Sequence, residues 1–124
     1  MSQQNDTGVK PFTAENAIAI HQAVKLGTAA GEVDVAGATD PVIGFAKQTV
    51  AAGDPVSVEL LTKPGTIRAI AAAAITKGDT VYEAAAGRVS TSAGSFKLGV
   101  ALEAAGAAAQ IIEILPCVGS TSAV

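Results

Sequence analysis

The chain has no tryptophan, one tyrosine, three phenylalanines, one methionine and one cysteine among its 124 residues. Large aromatic anchors are scarce, so any core must be built from small and branched aliphatic side chains. A lone Cys117 forms no internal disulfide, and a metal site would need several more Cys or His than the chain owns. It is read as a small apolar residue near the end of the core. His21 is the only histidine, and no catalytic triad is visible around it. It is read as a strand residue, partly buried or at the surface. Ser95 has Ala93 and Lys97 where a nucleophile elbow would place its two glycines, which makes it a turn residue. No enzyme is expected.

Charge is also thin, at 15% of residues with a net value of −3. The basic residues Lys10, Lys25, Lys47, Lys63, Arg68, Lys77, Arg88 and Lys97 stand singly along the chain. Nucleic-acid binding needs a clustered positive field and is not expected. The longest apolar run, Ala69 to Ile75, is far shorter than the roughly 18 to 20 residues of a membrane span. No membrane partner is expected. Met1 to Lys10 is polar and lacks the apolar stretch of an export signal, so the glycosylation pattern Asn5-Asp6-Thr7 is taken as chance. Glu32, Asp34 and Asp40 lie close together without the spacing of a calcium loop, and are taken as solvent-facing charges. The 13 glycines form neither a Walker loop nor a dinucleotide fingerprint. No cofactor is implied.

What the chain does have is small apolar residues, 27 Ala with 28 Val, Ile and Leu, arranged in a two-fold repeat with a period of about 56 residues. Ile18 and Val24 match Ile75 and Val81; Ala29-Ala30-Gly31-x-Val33 matches Ala85-Ala86-Gly87-x-Val89. Ile43-Gly44-Phe45-Ala46 matches Leu98-Gly99-Val100-Ala101, Ala51-Ala52-Gly53 matches Ala104-Ala105-Gly106, and Val56-Ser57-Val58 matches Ile112-Glu113-Ile114. Residues 17–60 and 74–115 are therefore expected to form two similar halves.

Ala-rich stretches such as Ala71 to Ala74 favour helix on propensity alone. The pattern opposes it. Val56, Val58 and Leu60 alternate with Ser57 and Glu59, and Ile112 and Ile114 flank Glu113, which is the period of a half-buried strand. Lys77-Gly78-Asp79 and Ala86-Gly87 punctuate β-prone runs at hairpin spacing. Over Thr13 to Leu26 a helix capped by Thr13 competes with a strand. The strand is favoured, because the matching segment carries Gly78 in its middle. The fold class expected is all-β, a compact β-barrel or β-sandwich built from two similar halves. An extended N-terminal arm over residues 1–12 precedes a single domain at 13–116, and a tail of residues 117–124 follows.

The "I-x-x-G-x-x-V-Y" pattern of Ile75 to Tyr82, the "A-A-G-x-V" turn of Ala85 to Val89 and the "G-V-A-L-E-A-A" strand of Gly99 to Ala105, followed by a closing strand, carry a resemblance. Over about residues 17–115 the chain resembles the small capsid decoration, or cement, proteins of tailed bacteriophages. The resemblance implies a non-enzymatic all-β subunit, commonly a homotrimer, made in the host cytoplasm. Its partner would be the major capsid protein, on the outer surface of the virion head, which it would stabilise. The arm would supply the capsid contact through Lys10, Pro11 and Phe12, with Phe12 as anchor. Ala14 to Gln22 lacks the Gly that Gly78 provides in the other half. The alternative is a carrier or ligand-binding β-barrel, to which Gly78-Asp79-Thr80-Val81 is suited, although Lys77 precedes the turn instead of standing at its tip.

Overall fold

The computed structural model describes residues 8–61, 65–92 and 96–116. Its strands are β1 (Val9–Ala14), β2 (Ala23–Leu26), β3 (Glu32–Val35), β4 (Gly44–Ala46), β5 (Pro55–Leu60), β6 (Ile67–Ile70), β7 (Thr80–Ala84), β8 (Arg88–Ser90), β9 (Lys97–Ala101) and β10 (Ile111–Pro116). Among the described residues the only helical turn is a short 3-10 turn, Ala85–Gly87, at the tip of the β7–β8 hairpin. The protein is all-β.

The first five strands close into a barrel in the order β1-β3-β2-β4-β5. The last five form a sheet in the order β6-β10-β9-β7-β8, whose edge strands meet through a parallel bridge between Ala71 and Val89. Followed around the circle, the two orders are the same, with β1 to β5 replaced by β6 to β10. Individual contacts repeat as well. Ala14 lies parallel to Val33 as Ala71 does to Val89, and Ile18 bridges Val50 as Ile75 bridges Ala105. The two structures will be called the N-terminal and C-terminal barrels.

This register moves two expectations. Residues 9–12 are not an arm: Val9 to Thr13 pair antiparallel with Glu59 to Pro55, which makes β1 a wall of the N-terminal barrel. Phe12 packs against its core and Ala14 is buried. Pro11 fits because the Leu60 N–H donates to Gly8 and the Ala14 N–H to Asp54, so position 11 faces away from β5. Pairing with β3 begins only at Thr13, so the missing N–H of Pro11 leaves no gap in a ladder. The second shift concerns the Ala-Gly blocks. Val50 corresponds to Ala105 and Gly53 to Ala109, because the Gly53 N–H donates to Ala14 as the Ala109 N–H does to Ala71. A run of Ala and Gly carries too little information to set its own register.

The missing glycine of the first half has a direct answer. Gly78 takes φ +91° and its N–H donates to Ala101 at 2.8 Å; at the same place His21 takes φ +72° and its N–H donates to Ala46 at 2.8 Å. The turns are stabilised alike, since Gln22 Oε1 accepts from the Ala19 N–H at 2.7 Å and Asp79 Oδ2 from the Thr76 N–H at 3.0 Å. Gly44 and Gly99 serve another purpose. A Cβ on Gly44 would lie 2.2 Å from the Glu59 carbonyl oxygen, and one on Gly99 would lie 2.1 Å from that of Leu115. Both glycines let β4 and β9 cross close over the neighbouring strand.

The cores differ in a telling way. The N-terminal barrel is filled by Ala14, Ile18, Val24, Val33, Ala46, Val56 and Val58. The C-terminal core gathers Ile67, Val81, Val89, Leu98, Ile112 and Ile114, and it also takes in Ala23, Ala36 and Phe45. Since Ala46 points into the N-terminal barrel, its neighbour Phe45 points out of it, into the second one. The Gly87 N–H donates to Ala36 at 2.8 Å and Gln22 Nε2 to Ala86 at 3.0 Å, which ties the hairpin tip to the first barrel.

Glu83, on β7 at this junction, is 3% exposed, and neither carboxyl oxygen has a hydrogen-bond partner. Burial, reinforced by the negative Asp40, pushes its carboxyl up to about 7. Unfolding returns it to its ordinary value of 4.5, so ionisation penalises the fold as pH rises from about 4.5 to about 7. Three outcomes follow. The melting temperature falls across that window, and Glu83→Gln removes the fall. Phe45→Ala lowers stability by about 3–5 kcal/mol in denaturant titration, the usual range for emptying a buried aromatic site. Gly99→Ala lowers it by about 3 kcal/mol or more, because the Cβ meets backbone that cannot step aside.

Candidate functional site

The residues that sequence reading put forward for contact lie on β1. Pro11 is exposed, while Lys10 and Phe12 are half-buried, with the Lys10 ammonium 5.7 Å from the centre of the Phe12 ring. Phe12 is turned toward the barrel interior. Lys10, Pro11 and Phe12 thus present one exposed proline and one cation on a rigid strand.

A cleft of about 640 Å³ lies between the barrels. The N-terminal barrel contributes His21 and Glu59; the C-terminal barrel contributes Thr66, Ile67, Arg68, Glu103, Ile111 and Glu113. Strand pairing sets Glu113 opposite Arg68. Thr66 Oγ1 donates to Glu113 Oε2, and the Glu113 N–H donates to Glu103 Oε1 at 2.8 Å. The His21 imidazole is held below its ordinary value, first by burial and then by the Arg68 charge, against the pull of Glu59. It is therefore neutral at pH 7. The cleft holds three carboxylates against one guanidinium, a surface suited to a cationic group. Sequence reading missed it because its members come from five separate stretches.

The other sequence candidates disperse. Glu32 Oε1 accepts from the Ala29 N–H, Asp34 binds Asn16, and Asp40 pairs with Lys25 at 3.3 Å. Each carboxylate is committed locally, and among the described residues no three His, Cys, Asp or Glu side chains converge as a metal site would. Lys77 is exposed in the turn before Gly78. Ser95, Cys117, residues 1–7 with their glycosylation pattern, and the tail at 117–124 lie outside the described residues.

Several large apolar side chains are exposed: Leu26, Leu115, Ile111, Ile20, Phe96 and Leu102. Val100, Leu115 and Ile111 lie on the outward side of β9 and β10, while Leu26 stands at the end of β2. Apolar surface of this kind on a charge-poor chain marks contact faces.

No curated protein matches the chain. Among solved structures, the head fiber gp8.5 N base of bacteriophage phi29 has the same fold, with a TM-score of 0.69 and 18% identity over 88% of this chain and 92% of that one. The family model for phage cement proteins matches residues 2–116. The chain belongs to the phage cement protein family, whose role is structural and associated with the phage head.

Proposed function

We propose that the protein binds the outer surface of a phage head through the major capsid protein, acts as a homotrimer, and reinforces the shell without catalysing a reaction. The observation that carries this reading is the family match over residues 2–116, which spans both barrels. The physics agrees with it. A closed barrel and a five-stranded sheet whose edges meet at one bridge pair their backbones in ladders, and a surface of small side chains loses little entropy when it is ordered against a lattice. A shell offers many identical sites, so modest contacts add up when several copies are joined. The protein would be made in the host cytoplasm and reside on the virion.

The proposed shell contact is Lys10 and the exposed Pro11 on β1, beside Phe12, which packs on the barrel core. Because β1 is part of the barrel, removing residues 2–12 would unfold the protein, and point variants are the proper probe. Mixing purified protein with undecorated heads, followed by electron microscopy, is expected to show added density on the outer surface and heads that survive higher temperature. Absence of both sinks the proposal. Lys10→Glu is expected to weaken head binding roughly tenfold, about 1.4 kcal/mol, with unchanged melting. Unchanged binding would move the contact elsewhere on the surface.

A further inference from the structure

The repeat gives each barrel the same two surfaces, and the chain uses only one of each. The outer face of the N-terminal barrel, with Ala23, Ala36 and Phe45, seals the mouth of the C-terminal barrel. Left over are the mouth of the N-terminal barrel and the outer face of the C-terminal one. Strand register identifies them residue by residue. Leu26 sits opposite Val33 as Glu83 sits opposite Val89, so Leu26 holds at the open mouth the position that Glu83 holds at the sealed one. Val100 sits opposite Leu115 as Phe45 sits opposite Glu59, so Val100 stands on the open face where Phe45 stands on the used one.

The side chains at these positions are the reverse of what water would favour. The covered mouth carries the carboxylate, 3% exposed, whereas the uncovered mouth carries a leucine that is 64% exposed. Ile43, half-buried against the N-terminal core, is tied to the same strand two residues before Leu26, its N–H donating to the Val24 carbonyl at 3.0 Å. On the open face, Leu115 beside Val100 is 48% exposed. Each leftover surface therefore carries an exposed leucine, Leu26 at the mouth and Leu115 on the face.

We infer that the outer face of the C-terminal barrel, at Val100 and Leu115, docks onto the N-terminal barrel mouth of a second copy at Leu26 and Ile43. The contact between copies repeats the contact inside each copy. It is head-to-tail, so it generates a ring if the rotation closes and a filament if it does not. This rests on the homotrimer proposed above and supplies its surfaces: closure after three copies is a ring of six barrels.

Sedimentation velocity of full-length variants tests it. The unsubstituted protein assembles beyond a single chain. Leu26→Glu, which blocks the mouth, and Val100→Glu, which blocks the face, each sediment as single chains with unchanged circular dichroism. Leu115→Glu, on an exposed side chain, provides a second face variant if Val100→Glu fails to fold. An equimolar mixture of a mouth variant and a face variant forms a species of two chains, because one intact mouth and one intact face remain. A two-fold contact of mouth on mouth, or of face on face, could not produce this result. Variants that assemble like the unsubstituted protein, or a mixture that stays as single chains, overturn the inference. Head binding is read separately: a protein that decorates heads but never self-assembles overturns the contact between copies and leaves the shell role standing.

Discussion

The insertion of Phe45 into the C-terminal barrel is the constraint on which the remaining architecture depends. A chain with three phenylalanines and no tryptophan has few side chains able to fill a barrel end, and it spends one of them between barrels. Phe12 packs on the N-terminal barrel from its own strand, whereas the corresponding position of the C-terminal barrel is Ala69, fully buried. The second barrel therefore completes its core with a residue of the first. That dependence makes the two barrels one folding unit, and it explains why the hairpin tip at Ala85–Gly87 must lie close enough for Gly87 to touch the backbone of Ala23.

The same dependence accounts for Glu83. A carboxyl near the end of a strand would ordinarily reach water, but Glu83 is buried at the junction of the two halves, within reach of the Asp40 charge. Its raised pKa is a consequence of assembly between the halves, through burial first and through the Asp40 charge second. Asp40 is itself held below the usual carboxylate range, chiefly by the Gly37 N–H and also by Lys25. Two acids at one junction are thus shifted in opposite directions, Asp40 downward by its hydrogen bonds and Glu83 upward by burial.

Much of this was legible in the sequence where side-chain period carries the signal. β5 and β10 followed from alternation, the β7–β8 hairpin from its glycines, and the all-β class from both. The start of the chain was not legible. Lys10 and Pro11 belong to the vocabulary of a solvated arm, and only pairing with β5, distant in sequence, makes them a strand. The matching strand β6 reads Ile67-Arg68-Ala69-Ile70, with no similarity to Lys10-Pro11-Phe12-Thr13, so the repeat looked shorter than it is. The contact candidates Lys10, Pro11 and Phe12 came from reading residues 1–12 as a polar arm outside the repeat, a reading that the pairing of β1 with β5 replaces. The cleft and Leu26 depend on which barrel covers which, a property that no local pattern encodes.

The two halves have nevertheless diverged by exchange within a fixed backbone. At one turn the first half has His21 and the second Gly78; at another the first has Gly53 and the second Ala109. All four take positive φ, between +72° and +91°. A side chain in that region costs about 1–2 kcal/mol relative to the right-handed conformation. His21 and Ala109 keep it because their N–H groups are bound to Ala46 and Ala71, the same carbonyl positions used by the glycines of the other half. The ladder, and not the residue type, therefore fixes the turn. At these two turns each half relaxes one with glycine and tolerates strain at the other. What distinguishes them is position in the chain: one barrel gives its face, the other receives it, and the residues at the mouths have changed accordingly.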